Sequence, residues 1–294
     1  MSDIFIQLLL NGLIAGALYA LVAAGFSIIY STCRFFHFAH GSTVAVSAYF
    51  LYFLYAVLGL NFWVSILLTL AFSALFGWFL NRIAYAPLHR RKASSLILLV
   101  ASFGLLIFFE SLILLLFGAD VKTIGFIKVE KGLEIAGAII TPLQIVIILA
   151  ALALLLALFY FMKKTRLGKA LRAVSDNKEV AEIVGISSKK MFLAAFVIGS
   201  MLAGVAGMLA GLEQNLEPSM GTNLIIKGFT GAIVGGVYSV PGAILGSVVL
   251  GLAENFGIWF LPSGFKDAIA FTLLFAFLLF KPEGILGIRK EVQK

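Results

Sequence analysis

Long apolar runs separated by short polar connections dominate the chain. The windows that contain no Asp, Glu, Lys or Arg are Ile4 to Cys33, Phe35 to Asn81, Ile135 to Met162, Met191 to Leu212 and Gly228 to Ala253. About 20 apolar residues are enough for a helix to cross the hydrocarbon of a bilayer. The runs are continuous and do not alternate as barrel strands do, so the pattern predicts an all-α, polytopic bundle of transmembrane helices.

Turn and charge signals divide these runs into eight or nine membrane-spanning helices within one transmembrane domain, residues 1–294. If one of the first three runs is re-entrant, the number is eight and the N-terminus lies inside; otherwise it is nine and the N-terminus lies outside. The nine predicted spans are Ile4–Tyr30, Phe35–Leu58, Phe62–Leu80, Ser95–Phe117, Gly137–Met162, Met191–Leu212, Leu224–Tyr238, Gly242–Leu261 and Phe265–Phe280.

Composition supports a membrane protein, because 62% of the 294 residues are hydrophobic and 12% are charged, against about 25% charged in soluble domains. The formal net charge of +8 is concentrated in three segments, Arg82 to Lys92, Lys163 to Lys190 and Lys281 to Lys294. Each adjoins an apolar run, as the positive-inside rule predicts for cytoplasmic loops. This distribution argues against nucleic-acid binding. The acidic or balanced loops, Gly118 to Ala136 and Glu213 to Asn223, are predicted to lie outside.

Two polar interruptions occur at comparable places in the two halves of the chain. The first is STCRFFHFAHG, residues 31–41, and the second is GGVYSVPGA, residues 235–243. Transporters often pair such broken helices across internal repeats, with the substrate path between them. A turn at the membrane surface explains the second interruption equally well, because Pro241 ends a helix in either setting.

The basic segment 163–190 is the longest polar stretch between predicted spans. It has eight Lys and Arg residues against Asp176, Glu179 and Glu182. Its apolar positions, Leu171, Val174, Val180, Ile183 and Val184, allow a helix to lie on the membrane surface or to dock on another protein. A solvated positive-inside loop would need only a few lysines, so the length favours docking.

Chemistry-bearing residues inside the apolar runs are few. His37 and His40 have neither further metal ligands nor the HExxH pattern of zinc proteases. We therefore expect them to form interfacial hydrogen bonds or to help gate or line the substrate path. Glu110 and Glu254 are either hydrogen-bonded structural groups or functional ones, because burying charge in lipid is costly. The chain has no GxxxxGK[ST] loop, so any nucleotide hydrolysis belongs to another chain. We expect no enzyme activity and no cofactor.

With these residues in view, the chain resembles the permease subunits of ABC importers for branched-chain amino acids, specifically the H-type permease of the Liv system. The likeness rests on several long blocks in the same order: GLIAGALYALVAAGFSIIYST with FFHFAHG, TRLGKALRAVSDNKEVAEIVGIS, KGFTGAIVGGVYSVPGAILGSVVLGLAE and FKDAIAFTLLFAFLLFKPEGILG. One departure from the family is His37, where the family often has Asn. Cys33, Phe35 and Phe36 also make the approach to the path bulkier than in the family.

The resemblance implies partners and site residues. The partners are a second, related but different permease chain, two cytoplasmic ATP-binding subunits, an extracytoplasmic solute-binding protein, an amino-acid substrate and membrane lipid, in a prokaryotic inner membrane. The implied ATPase-coupling surface consists of Arg166, Gly168, Ala170, Arg172, Ala173, Asp176, Ala181 and Gly185. The implied translocation path includes Phe38, Ala39, His40, Gly41, Gly235, Gly236, Ser239, Pro241 and Gly242. The rival interpretation is an ion-coupled secondary transporter of small polar solutes, which would be expected to have more ionisable groups within the membrane.

Overall fold

The structure is a computed structural model and describes residues 2–126, 132–135 and 137–287. Within these residues the chain is almost entirely helical, with one short antiparallel hairpin. The helices are α1 Ser2–Cys33, α2 His40–Tyr52, α3 Phe62–Phe79, α4 Ala86–Arg90, α5 Ser95–Phe117, α6 Pro142–Lys164, α7 Arg166–Asp176, α8 Lys178–Ile183, α9 Ser188–Glu213, α10 Met220–Gly235, α11 Val240–Gly257 and α12 Lys266–Phe280. The hairpin strands are β1 Leu133–Ile135 and β2 Ala138–Ile140, and π-helical turns extend α2 over Phe53–Val57 and α3 over Leu80–Tyr85.

Seven helical segments of the described residues are long and apolar enough to cross a membrane. They are Ile4–Cys33, Phe62–Arg90, Ser95–Phe117, Pro142–Lys164, Ser188–Glu213, Val240–Gly257 and Ser263–Phe280. The prediction of an all-α polytopic bundle is confirmed. The other two predicted spans correspond to α2 and α10, which are only 13 and 16 residues long. These two short helices adjoin the two interruptions.

Helix α1 lies at the centre of the bundle. Most of its span, 78%, is buried, whereas only 6% of the span that contains α12 is buried. It packs against α9, α10 and α11, and its small residues, such as Ala20, Ala23 and Ala24, are fully buried. Apolar helices gain no hydrophobic free energy by moving from lipid into a protein contact, so their association depends on close packing.

Glycines bring the central helices into backbone contact. A methyl group on Gly251 of α11 would lie 2.5 Å from the Gly12 carbonyl oxygen of α1. Between α10 and α11, a methyl on Gly246 would lie 2.2 Å from the Gly231 carbonyl oxygen. Only residues without a β-carbon permit these approaches. Glycines therefore allow α11 to pack closely against both α1 and α10.

Several predicted boundaries differ from the structure by a few residues, and three of the differences have a visible local cause. The second span begins at His40 rather than Phe35, because residues 34–39 are not helical. The fifth begins at Pro142 rather than Gly137, because Thr141 and Gln144 form a reciprocal capping box after the hairpin. The basic segment 163–190, read as one helical stretch, contains two helices that Asn177 separates with an extended φ of −147°.

The basic segments gather at one end of the bundle, which we call the basic end. Ser95 Oγ, just after the first basic segment, donates to the Arg34 carbonyl oxygen at 3.4 Å, and the Arg34 side chain donates to Ser175 in the second. In the third, Ile285 N donates to the Val234 carbonyl at 2.9 Å. Residues 288–294 of this segment, with Arg289, Lys290 and Lys294, lie outside the described residues.

The β1–β2 hairpin marks the opposite end, which we call the hairpin end. The Gln7 side chain makes two hydrogen bonds with the Ile139 backbone, at 3.0 and 2.8 Å, so the N-terminus of α1 lies here. Gln144 Nε2 donates to Glu213 Oε1 at 2.7 Å, which joins the start of α6 to the end of α9. Residues 127–131 of the neighbouring loop, Glu130 among them, lie outside the described residues.

Candidate functional site

The first interruption folds back into the bundle. Helix α1 ends at Cys33, and Arg34 follows in the left-handed region with a φ of 63°, which reverses the chain. Helix α2 then begins at His40, which packs against Gly25: a methyl on Gly25 would lie 2.8 Å from His40 Nε2. Gly25 is about 12 Å along α1 from its end at Cys33. The segment 34–39 therefore runs from the basic end back into the bundle, and we call it the re-entrant segment.

Side chains of the re-entrant segment alternate between buried and partly buried positions. Phe35 and His37 are fully buried towards α9. Their rings lie near Phe196, with centroids 6.4 and 4.8 Å away, and His37 Nδ1 is 2.9 Å from the Tyr85 hydroxyl. Phe36 and Phe38 point the other way and are only partly buried.

Phe36 and Phe38 join an aromatic surface built from several helices. Phe38 stacks on Phe103 of α5 with ring centroids 4.5 Å apart, and lies 5.2 Å from Phe229 of α10. Phe36 stacks on Tyr30 of α1 at 4.7 Å. We call the set Phe26, Tyr30, Phe36, Phe38, Phe103, Phe229 and Tyr238 the aromatic surface. It offers apolar ring faces together with two tyrosine hydroxyls.

The second interruption reaches the same surface. Helix α10 ends at Gly235, Gly236 follows with a φ of 110°, and α11 begins at Val240 under a cap from Ser239. Tyr238, in the intervening turn, has its ring 5.1 Å from Tyr30 and its hydroxyl 3.3 Å from the Tyr30 hydroxyl. The two interruptions, distant in sequence, therefore meet at the basic end.

Helix α7 packs on the membrane body. Leu171 and Val174 are fully buried, and Thr165 caps the helix by accepting from Gly168 N at 3.0 Å. Gly168 lies directly on the end of α6, where a methyl would approach the Phe161 carbonyl oxygen to 2.3 Å. This amphipathic helix therefore lies against the bundle along its apolar face.

Helix α8 instead presents apolar side chains to the surroundings. Ile183 is 82% exposed, and Val180 and Val184 are exposed beside it. Gly185 ends the helix with a φ of 86°, a conformation that disfavours other residues. We call Val180, Ile183 and Val184 the apolar tip. The five apolar positions noted in the sequence thus divide into two that anchor α7 and three that remain exposed.

The predicted coupling residues occupy different positions around these two helices. Arg166, Arg172, Asp176 and Gly185 are exposed, and Ala170 and Ala173 are partly buried. Gly168 and Ala181 are buried within the chain, so they shape the segment from inside.

Arg34 connects both interruptions to the basic segment. Its guanidinium lies 4.7 Å from the centre of the Tyr238 ring and donates to the Ser175 carbonyl oxygen of α7. Charge-assisted hydrogen bonds and cation–π contacts are among the stronger polar interactions available to a side chain. Arg34 therefore links α7 to both interruptions.

The predicted path residues fall into two groups. Phe38 and Ser239 are partly buried and Pro241 is exposed, so they border the basic end. The others are buried at helix contacts: a methyl on Gly41 would lie 2.6 Å from the Gly221 carbonyl oxygen of α10, and one on Gly235 would lie 1.7 Å from that of Gly242. The buried group consists of Ala39, His40, Gly41, Gly235, Gly236 and Gly242.

A buried ion network was missed by the sequence reasoning. Lys227 of α10 lies between Glu254 and Asp267, with Nζ to oxygen distances of 2.6 and 2.7 Å. Tyr19 of α1 donates to Glu254 at 2.9 Å. The signal was available, because Lys227 is a charge within a predicted span and a buried charge needs a partner. Glu254 is thus a paired group, and the network around Lys227 links α1, α10, α11 and α12.

The other ionisable candidates have local roles. Glu110 accepts a hydrogen bond from Thr222 Oγ1 at 2.6 Å. The His37 and His40 ring centroids are 6.0 Å apart, and no group of three or more His, Cys, Asp or Glu side chains within the described residues could hold a metal ion.

Comparisons with known proteins agree with this architecture. The family described as "Branched-chain amino acid transport system / permease component" matches residues 8–280. The high-affinity branched-chain amino acid transport system permease protein BraD of Pseudomonas aeruginosa is 36% identical, over 99% of this chain and 98% of its own. LivH of Escherichia coli K12, which has the same description, is 32% identical over 99% and 97%. A probable LivH of Methanocaldococcus jannaschii is 29% identical over 98% and 95%.

Proposed function

The chain belongs to the branched-chain amino acid transport permease family, and on this basis we propose that it forms the membrane path of an ABC importer for branched-chain or related amino acids. It is a multi-pass protein of the inner membrane, as its relatives are. Residues 1–294 act as one permease unit, with residues 163–190 as its cytoplasmic coupling segment. ATP hydrolysis on separate subunits drives uptake.

The observation that carries this proposal is the position of Arg34. One side chain contacts both α7 of the coupling segment and Tyr238 of the second interruption, while its own backbone begins the re-entrant segment. Force applied to the coupling segment from the cytoplasm thus has a direct route to both broken helices. A secondary transporter would not need an exposed cytoplasmic helix pair joined to its path.

The apolar tip of α8 supports a protein partner at the basic end. Three exposed aliphatic side chains beside a left-handed glycine form a short helical projection of the kind that inserts into a hydrophobic groove. Two cytoplasmic ATP-binding subunits would receive such projections, one from this chain and one from a second, related permease. A solute-binding protein would then deliver substrate at the hairpin end.

The aromatic surface supports an apolar amino acid as the substrate. Phe36, Phe38 and Phe229 offer partly buried ring faces next to both interruptions. Aliphatic side chains gain from contact with such rings, and the mixture of apolar faces and hydroxyls suits a ligand with one apolar and one polar end. Selectivity among amino acids would rest largely on the separate binding protein.

The mechanism we propose is a switch between two packings of the bundle. Closure of the ATPases would shift the coupling segment, and Arg34 would pass the shift to the re-entrant segment and to Tyr238. Backbone contacts such as Gly231 with Gly246 make the central helices a stiff unit, so a small shift becomes a change between discrete arrangements. ATP and substrate would each favour one of the two.

Uptake by the reconstituted system tests the proposal against ion coupling. The permease would be placed in proteoliposomes with its second permease, ATPases and binding protein, and uptake of labelled leucine would be measured with internal ATP. We expect uptake to continue when an ionophore abolishes ion gradients and to stop with a non-hydrolysable ATP analogue. Uptake that collapses with the ionophore while ATP remains would establish the ion-coupled alternative instead.

A further inference from the structure

A groove opens at the basic end between α6, α7 and the turn that joins α10 to α11. Its cavity volume is about 420 Å³. Leu155 and Phe159 of α6 line one wall and Ile244 of α11 lines the other. Lys163 of α6 and Arg172 of α7 lie at its polar end. Tyr238, Ser239 and Pro241 at its edge belong to the aromatic surface or the predicted path, and the proposed function assigns no ligand to the rest of the groove.

The order of side chains along the groove matches one kind of molecule. Leu155, Phe159 and Lys163 are four residues apart on α6, so they lie on the same face of the helix, with the cation nearest the cytoplasmic end. Arg172 and Ser175 lie three apart on α7 and face the same cavity. An amphiphile in this groove would place its apolar tail against the apolar walls and its anionic head beside the two cations.

From this arrangement we infer that the groove binds one anionic phospholipid of the cytoplasmic leaflet. Its phosphate would lie between Lys163 and Arg172, and its acyl chains would lie along Leu155, Phe159 and Ile244. Basic pockets between membrane helices on the cytoplasmic side bind such headgroups. The lipid would join the coupling helix α7 to the second interruption, since Ser239 and Pro241 also line the groove.

Lipid titration followed by native mass spectrometry tests the inference. The delipidated permease would be titrated with phosphatidylglycerol and, separately, with phosphatidylcholine of the same acyl chains. We expect one phosphatidylglycerol to bind about 30-fold more tightly, the ratio that two cations at about 1 kcal/mol each produce. Glycerol phosphate alone should compete weakly, because it lacks the tails. Equal affinity for the two lipids would overturn the inference.

Matched double variants locate the site. Lys163→Gln with Arg172→Gln should abolish the preference for phosphatidylglycerol, whereas Lys164→Gln with Lys169→Gln removes the same charge from exposed positions that do not line the groove and should preserve it. An equal loss in both variants would mean a diffuse attraction and would refute the site. Circular dichroism and size-exclusion profiles would confirm that both variants are folded.

A second pair of variants tests the apolar part without changing charge. Ile244→Trp should fill the groove and reduce the affinity for both lipids, while Leu245→Trp, at the exposed neighbouring position outside the groove lining, should leave both unchanged. The assembled transporter must also retain the lipid. If the complete complex lacks it while the isolated permease binds it, a protein segment covers the groove and the lipid proposal is wrong. These experiments measure lipid binding alone, so their outcome is independent of the transport proposal.

Discussion

The guanidinium of Arg34 lies 4.7 Å from the centre of the Tyr238 ring, which joins two chain interruptions that are about 200 residues apart. The same guanidinium donates to the Ser175 carbonyl oxygen of α7. Neither partner is a carboxylate, so the contact binds Arg34 through one backbone acceptor and one aromatic face. Both can be broken without leaving a buried charge behind.

Replacement of Arg34 by Asn is expected to weaken coupling. Asn tolerates the left-handed backbone that Arg34 adopts, so the chain reversal is kept while the contacts with Ser175 and Tyr238 are lost. We expect ATP-driven uptake to fall about 10-fold, the effect of losing one charge-assisted hydrogen bond. Lys92→Asn is the matched control, because Lys92 is the other described non-glycine residue with a positive φ, 55°. Equal effects of the two changes would contradict a coupling role for Arg34.

Replacement of Ile183 by Ser is expected to detach the ATPase. Burying an isoleucine stabilises a contact by about 1.5–3 kcal/mol, so affinity should fall about 10- to 100-fold. Retention of the ATPase in mild detergent would measure this. Ile139→Ser is the control, since Ile139 is 60% exposed at the hairpin end. A permease that keeps its ATPase after Ile183→Ser would exclude the apolar tip from the interface.

Replacement of Lys227 by Met is expected to destabilise the fold. It leaves the Glu254 carboxylate buried without its cationic partner, which costs about 3 kcal/mol or more in comparable cases. Thermal unfolding of the purified permease in detergent should begin at a markedly lower temperature, and the added change Glu254→Gln should restore much of the loss. Asp267→Asn should have little effect, because the Asp267 side chain is 75% exposed. An unchanged unfolding temperature for Lys227→Met would show that the network contributes nothing to stability.

Replacement of Gly251 by Ala is expected to separate α1 from α11. The new methyl would lie 2.5 Å from a backbone carbonyl oxygen, which cannot rotate away, and such overpacking costs about 1–3 kcal/mol. A lower unfolding temperature should result. Gly104→Ala provides the control, because nothing lies within 4 Å of a methyl at that position. Matching unfolding temperatures would mean that the two helices adjust without cost.

The helices and their breaks were within reach of the sequence. Apolar runs placed the long spans within a few residues, and the motifs at residues 31–41 and 235–243 marked places where helices end. The split between α7 and α8 also had a local signal. Asn177 caps α8 by accepting from Glu179 N and Val180 N, and an asparagine followed by helix-forming residues is a known start signal.

The re-entrant segment was beyond local reasoning. Four of the six residues 34–39 are apolar, so hydropathy placed Phe35 in a span. Their non-helical course is held by the contacts of Phe35 and His37 with Phe196, which is distant in sequence. Likewise, pairing Lys227 with Glu254 and Asp267 requires knowing that α10, α11 and α12 meet. Local patterns determine elements, whereas such contacts depend on the packing of the whole bundle.

The alternation along residues 34–39 also limits how this region can change in evolution. Loss or gain of a single residue there would exchange the inward set, Phe35 and His37, with the outward set, Phe36 and Phe38, because buried and partly buried positions alternate residue by residue along this segment. Substitutions that preserve ring size can accumulate, but single-residue insertions and deletions cannot. The length of this short connection is therefore under stronger constraint than its composition.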